Sequence, residues 1–289
     1  PLGLEYLAGN DLADYGFILT PSRLQLVVQL QELFFIRHLR QQQPSWQSKG
    51  LGGLLVESAP GLGKSELIRA FVHSQGMVLW NPQEQNQASE NAYMIIPASL
   101  SPMEKKNWLL QAFHAGAVVI MDEINSGPVV EDLLNSLLCG ETPDKEPPKR
   151  AGFLLLATQN PSSMPGRVRH TSAIERRLLH VTLGEYPKHE VEQILRAQGL
   201  NEEHAQELSI IFQQKREEGQ ARGYAALPTL RDVLILAQET RSRKRLAESA
   251  PEEAWHLRKK SRQFGLFHKA EDRTEPIQRN SGCGLNKNV

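Results

Sequence analysis

Apolar positions along the chain follow two patterns. Leu24, Val27, Val28, Leu30, Leu33, Phe34 and Leu39 recur at three- and four-residue steps, the spacing of a helix with one buried face. Residues 17–21 read as a short extended entry to it, with Thr20 as the expected N-cap and Pro21 opening the first turn. Elsewhere apolar residues come in short unbroken runs: Leu54-Leu55-Val56 within Leu51–Glu57, Gly76–Trp80, Ala117–Met121 and Phe153–Thr158. Such runs predict strands buried on both faces. Helices are expected between them at Lys64–His73, Lys105–Ala115 and Val129–Leu138, and polar loops at Gln41–Gly50, Asn81–Asn91 and Thr142–Arg150. The alternation predicts an α/β fold, a parallel sheet with helices on both faces. Strand signals stop after Leu183. Lys188–Gln198, Glu202–Arg216 and Thr229–Arg245 then read as helices of a small helical domain. The expected organisation is an α/β domain over 1–183, a helical lid over 184–245, and a disordered tail over 246–289.

Composition changes this picture little. The chain has 289 residues, 40% of them apolar before its 21 Gly are added, which is globular rather than disordered or fibrous. It shows no internal repeat. No stretch approaches the uncharged apolar length that spans a bilayer, so no membrane association is expected. Pro1-Leu2-Gly3-Leu4-Glu5 shows neither the basic region nor the apolar core of a secretory leader. Without an initial Met, the chain reads as processed or as a piece of a longer one. Two cysteines, Cys139 and Cys283, are too few for a disulfide framework and lack metal-ligand spacing. A reducing compartment, cytoplasm or nucleus, is the expectation. Lys and Arg together number 33 and so do Asp and Glu, but from Arg241 to Val289 there are 12 basic and 6 acidic residues. A mildly acidic body carries a basic tail.

The first candidate chemistry lies at Ser58-Ala59-Pro60-Gly61-Leu62-Gly63-Lys64-Ser65, between a predicted strand and a predicted helix. A phosphate-binding loop needs successive backbone N–H groups to curl around phosphate oxygens, and Gly61 and Gly63 permit that approach without a Cβ. The helix N-terminus behind them adds its positive end. Lys64 would reach the β- and γ-phosphates, and the Ser65 hydroxyl would bind Mg²⁺. The strict pattern has Gly at the first position, where this chain has Ser58.

Two strand ends supply polar groups. Val118-Val119-Ile120-Met121 empties into Asp122-Glu123-Ile124-Asn125. Ligands of parallel sheets sit outside the carboxyl ends of strands, so Asp122 would face Mg²⁺ and Glu123 would polarise a water. Taken alone, these acids would equally suit the N-terminus of the next helix, with Asn125 or Ser126 as its cap. The run Phe153-Leu154-Leu155-Leu156-Ala157-Thr158-Gln159-Asn160-Pro161 ends in Asn160, an amide able to hydrogen-bond both a γ-phosphate and an attacking water, or else a turn residue before Pro161.

In this order and spacing, Ser58–Ser65, Asp122–Asn125 and Asn160 resemble an AAA+ ATPase. The Asp-Glu-Ile-Asn and Ala-Thr-Gln-Asn-Pro segments, with Leu109–Ala117 and Phe17–Pro21, are similar to the midasin, dynein and MoxR-like branch. The resemblance runs from about Tyr15 to Glu239. It implies ATP and Mg²⁺ as ligands, ATP hydrolysis that remodels a protein assembly, and assembly with copies of itself or neighbouring AAA+ modules, as a hexameric ring. It also implies an arginine acting on the neighbour's nucleotide. Within Ser172-Ala173-Ile174-Glu175-Arg176-Arg177-Leu178, Arg177 aligns best and Arg176 is close behind. A guanidinium there would meet charge spreading over the transferring phosphoryl group. In the lid, Leu227-Pro228-Thr229-Leu230-Arg231-Asp232 places Arg231 as a second sensor arginine.

The tail stands apart. Arg241, Arg243, Lys244 and Arg245 form one basic cluster, and Arg258, Lys259, Lys260 and Arg262 form another, with 12 residues between. The pair resembles a bipartite nuclear-import signal and would also suit nucleic-acid phosphates or an acidic partner. Two alternatives to a remodelling ATPase therefore stand: a nucleotide-gated binding module with negligible turnover, and a nucleic-acid remodeller that uses the tail.

Overall fold

The computed structural model describes residues 12–84, 87–126, 130–161, 163–164, 172–223 and 227–249. The backbone runs through α1 (Pro21–Gln42), β1 (Gly53–Glu57), α2 (Lys64–Ser74), β2 (Val78–Leu79), β3 (Ala92–Ile96), α3 (Pro102–Ala115), β4 (Val118–Met121) and α4 (Glu131–Leu138). It continues through β5 (Leu154–Gln159), α5 (Ser172–Glu175), β6 (Leu178–Thr182), α6 (Lys188–Ala197), α7 (Glu202–Ala221) and α8 (Leu230–Ser249). The six described strands form one sheet in the order β2-β3-β4-β5-β1-β6, and every pairing is parallel. The expected α/β fold is present.

The unbroken apolar runs feed two cores because successive side chains of a strand point to opposite faces. Leu54 and Val56, Val118 and Ile120, and Leu154 and Leu156 join one core with Leu26, Val27, Leu30 and Leu33 of α1 and Leu67, Ile68 and Phe71 of α2. Leu55, Val119, Met121, Leu155 and Ala157 join the other with Leu109 and Phe113 of α3 and Leu133, Leu134, Leu137 and Leu138 of α4. Each helix thus buries one stripe on one side of the sheet.

Four local expectations are corrected. Ala92–Ile96 forms β3, where no strand was expected. The Gly76–Trp80 strand shrinks to the exposed pair Val78–Leu79 at the sheet edge. Helix α3 starts at Pro102 rather than Lys105, because Ser101 and Glu104 form a reciprocal capping box. Thr20 has the extended backbone of an N-cap, yet its side chain does not cap α1. That duty passes to Glu190 of α6, whose carboxylate accepts from the Ser22 N–H at 2.9 Å and from the Ser22 hydroxyl. Burial alone would raise the Glu190 carboxyl, but hydrogen bonds from Ser22 and Thr20 and the Arg23 charge hold it below the ordinary carboxylate range. Its contribution to stability is therefore present above that range and is lost as pH falls through the depressed value. Glu190→Ala is expected to cost about 2 kcal/mol, lowering the melting temperature by about 4–8 °C at neutral pH. An unchanged thermal melt would refute this role.

The chain divides into two compact units: one reaches to Ala197 and takes in Thr229–Arg231, and the other comprises Gln198–Pro228 with the chain from Asp232. Helix α6 thus groups with the sheet. In the second unit, Asn201 caps α7 by accepting from the His204 N–H at 3.1 Å, and Arg216 donates to the Pro228 carbonyl at 2.7 Å. The backbone of α8 carries the first basic cluster, Arg241–Arg245. The second cluster, 258–262, and the tail lie outside the described residues, so the expectation of disorder is not addressed. Among the described residues no helix is long and apolar enough to cross a membrane.

Candidate active site

Strand order decides where the site forms. The chain leaves β1 for the far edge at β2, returns strand by strand to β5 beside β1, and ends with β6 on the other flank of β1. The carboxyl ends of β4, β5 and β1 therefore lie side by side, at the point where connections reverse, which is where open α/β sheets bind ligands. Register sharpens this. Met121 pairs with Ala157, and Glu57 with Gln159. The next residues are Asp122 beside Thr158 and Ser58 beside Asn160.

The 58–65 segment folds as its glycines require. Gly61 and Gly63 have φ of 77° and 75°, the left-handed region that residues with a Cβ rarely adopt. At Gly61 a Cβ would also sit 2.6 Å from the Thr229 Cβ. Gly63 is the N-cap of α2, and no described side chain caps that helix. Ser58 is buried and its hydroxyl donates to the Ala59 carbonyl at 3.0 Å. Pro60 is exposed, while Leu62 is buried and its carbonyl accepts from the Tyr186 hydroxyl at 3.3 Å. Lys64, only 8% exposed, donates from Nζ to the carbonyls of Ser58 at 2.6 Å and Ala59 at 3.1 Å, and to Asn160 Oδ1 at 3.1 Å. Ser65 is half-buried at the first turn of α2.

Asn160 joins the loop to the acids. While its Oδ1 accepts from Lys64, its Nδ2 donates to Glu123 Oε1 at 3.2 Å, and its carbonyl accepts from Asn125 Nδ2 at 2.8 Å. Glu123 is exposed and takes a left-handed φ of 52°, unusual for a residue with a side chain. Its N–H donates to Thr158 Oγ1 at 3.2 Å, and the Thr158 hydroxyl donates to Asp122 Oδ1 at 3.2 Å. A single buried threonine on β5 thereby orients both acids. Asp122 Oδ2 accepts from Arg69 of α2 at 2.6 Å.

The structure thus places Ser58–Ser65, Asp122, Glu123 and Asn160 at neighbouring strand ends. Thr158 and Arg69 were not expected, though both left a signal. Thr158 continues the face of Leu154 and Leu156, and Asp122 that of Val118 and Ile120, the face that packs on α2. Arg69 is four residues beyond Ser65, one turn along the same side of that helix.

The arginines fall differently. Arg177 is half-buried, and its guanidinium donates to Asn135 Oδ1 at 2.7 Å and to Cys139 Sγ at 3.0 Å, both of its own chain. Arg176 is exposed beside it. Arg231 is exposed in the first turn of α8, two residues after Thr229.

This donor set fits a nucleotide polyphosphate with Mg²⁺. Gly61 leaves backbone where a Cβ would not fit, Gly63 holds a left-handed φ, a helix N-terminus and a buried ammonium face the same loop, and a hydroxyl and a carboxylate suit a hard cation. The buried Asn125 Oδ1 also has no hydrogen-bond partner among the described residues.

No family model matches the chain, and no curated protein matches it. Among solved structures it is similar to the RuvB Holliday junction branch migration motor of Thermotoga maritima, at 17% identity over 75% of this chain and 63% of that one, with a TM-score of 0.46. It is also similar to a variant of the same protein, at 18% identity over 75% of this chain and 62% of that one, with a TM-score of 0.49. The chain spans less than two thirds of the length of these structures.

Proposed function

We propose that this chain is an Mg²⁺-dependent ATP-binding and ATP-hydrolysing module of the AAA+ type that acts in an assembly of such modules. The observation that carries the reading is the continuous contact chain from Lys64 through Asn160 to Glu123, set between a left-handed glycine loop and the carboxylate of Asp122. Backbone N–H groups of Ala59 and of residues 61–65 would cradle the phosphates, and Lys64 would donate to β- and γ-phosphate oxygens. Ser65 and Asp122 would hold Mg²⁺, which would supply positive charge against the phosphate oxygens. Glu123 would accept the proton of the water that attacks the γ-phosphorus, and Asn160 would orient that water. Arg176 or Arg177 would act on a neighbour's nucleotide, and Arg231 in a 184–245 lid would act on its own. Within the AAA+ class, Asp122–Asn125 and Ala157–Pro161 favour the midasin, dynein and MoxR-like branch, and a hexameric ring that remodels a protein assembly.

The reading of a nucleotide-gated module with little turnover has one observation in its favour, the ion pair that already engages Asp122. Size analysis with and without a slowly hydrolysed ATP analogue, with phosphate release on the same sample, separates the two. Lys64→Ala tests the site itself. Without the ammonium, the loop and helix end alone should bind ATP at least about a hundredfold more weakly, since hydrogen bonds to charged groups are worth about 1.5–3 kcal/mol each. Unchanged affinity in a calorimetric titration would reject the phosphate-loop assignment.

A further inference from the structure

Arg69 is a cation built into the place where Asp122 would meet a metal. Its Nη2 lies 2.6 Å from Asp122 Oδ2, and its other guanidinium contact is a long one, 3.5 Å to the exposed Glu66. Side chains of a helix lean towards its N-terminus, so Arg69 leans over Ser65, one turn before it. The hydroxyl proposed to hold Mg²⁺, the carboxylate proposed to hold it and the guanidinium therefore share one corner of the sheet.

Unlike Arg23, Arg37 and Arg40, each of which donates to a main-chain carbonyl, Arg69 has only carboxylates as hydrogen-bond partners among the described residues. Arg37, buried on α1, donates to the carbonyls of Gly152, Glu90 and Gly116 at 2.9, 2.8 and 3.2 Å. Arg69 Nε is buried with no hydrogen-bond partner among the described residues. Its hold on the protein at this end is essentially the carboxylate of Asp122. Both partners keep solvent access, with side chains 36% and 25% exposed, so the pair can open without leaving a charge sealed in the core.

We infer that Arg69 competes with the divalent cation for Asp122, so that the chain loads metal and nucleotide only when this ion pair opens. The inference rests on the proposed nucleotide site and adds a threshold to it. Asp122 cannot give its Oδ2 lone pairs fully to the guanidinium and to a metal at once, while its Oδ1 stays engaged by Thr158. Any metal-dependent tightening of nucleotide binding is then reduced by the stability of the Arg69–Asp122 pair. An exposed or partly exposed pair accounts for up to about a fivefold effect.

The test is ADP titration of the whole chain by calorimetry across a graded Mg²⁺ series. ADP keeps turnover out of the readout. Arg69→Met, similar in length and uncharged, should reach half of its Mg²⁺-dependent tightening at about fivefold lower Mg²⁺ than the parent. Arg69→Lys, which retains a cation, should stay within about twofold of the parent. In an Asp122→Asn background, Arg69→Met should leave the Mg²⁺ requirement unchanged, because the two groups act only through each other. Should Arg69→Met fail to fold, Arg69→Gln carries the same readout with a hydrogen-bonding end. ADP binding with an unchanged or raised Mg²⁺ requirement in the neutral variants overturns the inference alone. A parent protein that binds no ADP at any Mg²⁺ concentration overturns the nucleotide site and the inference with it.

Discussion

Glu123→Gln is expected to bind ATP with the affinity of the parent and to release phosphate at least about a hundredfold more slowly. The geometry makes the two halves of this result separable. Glu123 meets Lys64 of the loop through the Asn160 amide, one residue removed from the proposed phosphate contacts. A glutamine can still accept from Asn160 Nδ2 through its Oε1, and its N–H still donates to Thr158 Oγ1, so the left-handed backbone at this position is held as before. What is lost is a carboxylate able to take a proton from water. An amide has no such capacity near neutral pH, and the attacking water then has to give up its proton to bulk solvent. Because binding survives and turnover does not, the variant should also accumulate the ATP-bound assembly, visible as a larger species in size analysis. Phosphate release at the parental rate would place the base elsewhere.

The same region shows what a sequence reveals and what it withholds. Strands β1, β4 and β5 were legible because each is an unbroken apolar run that ends in polar residues, and one run feeds both cores. Strand β3 carries the same signal in Ala92-Tyr93-Met94-Ile95-Ile96, but more faintly, since Ala is a weak strand former and the run emerges from a long polar loop. At the N-terminus of α1 local rules favour Thr20, whereas the group that caps it, Glu190, lies 168 residues along the chain from Ser22. No local rule reaches that far. Thr158 and Arg69 illustrate a third case. Each is an ordinary residue by type, and each acquires a role only because register sets β5 level with β4 and because α2 covers that face.

On the proposed action at a neighbouring subunit's nucleotide, Arg176→Ala is expected to bind ATP normally and hydrolyse it about a thousandfold more slowly. The family resemblance favours Arg177 for this task, but the bonds that hold Arg177 and the exposure of Arg176 favour the residue before it. Arg177 donates to Asn135 Oδ1 and Cys139 Sγ, and its backbone carbonyl accepts from the Gly52 N–H at 2.8 Å, so it ties the start of β6 to α4 and to the approach of β1. To reach another molecule it would have to surrender these side-chain bonds. Arg176 is already exposed at the same edge. Arg177→Ala should therefore lower the melting temperature and disturb turnover through the altered segment. Arg176→Ala should leave the melt unchanged and remove only charge stabilisation in the transition state. Action in trans has a signature that no residue acting in cis shares. Mixing Arg176→Ala with Lys64→Ala creates interfaces that join an intact phosphate loop to an intact Arg176, which neither variant offers alone. Turnover should recover in part at concentrations where mixed oligomers are seen. No recovery in verified mixed oligomers would reject the trans role. A severe loss of turnover in Arg177→Ala at an unchanged melting temperature, with Arg176→Ala near the parental rate, would return the role to Arg177.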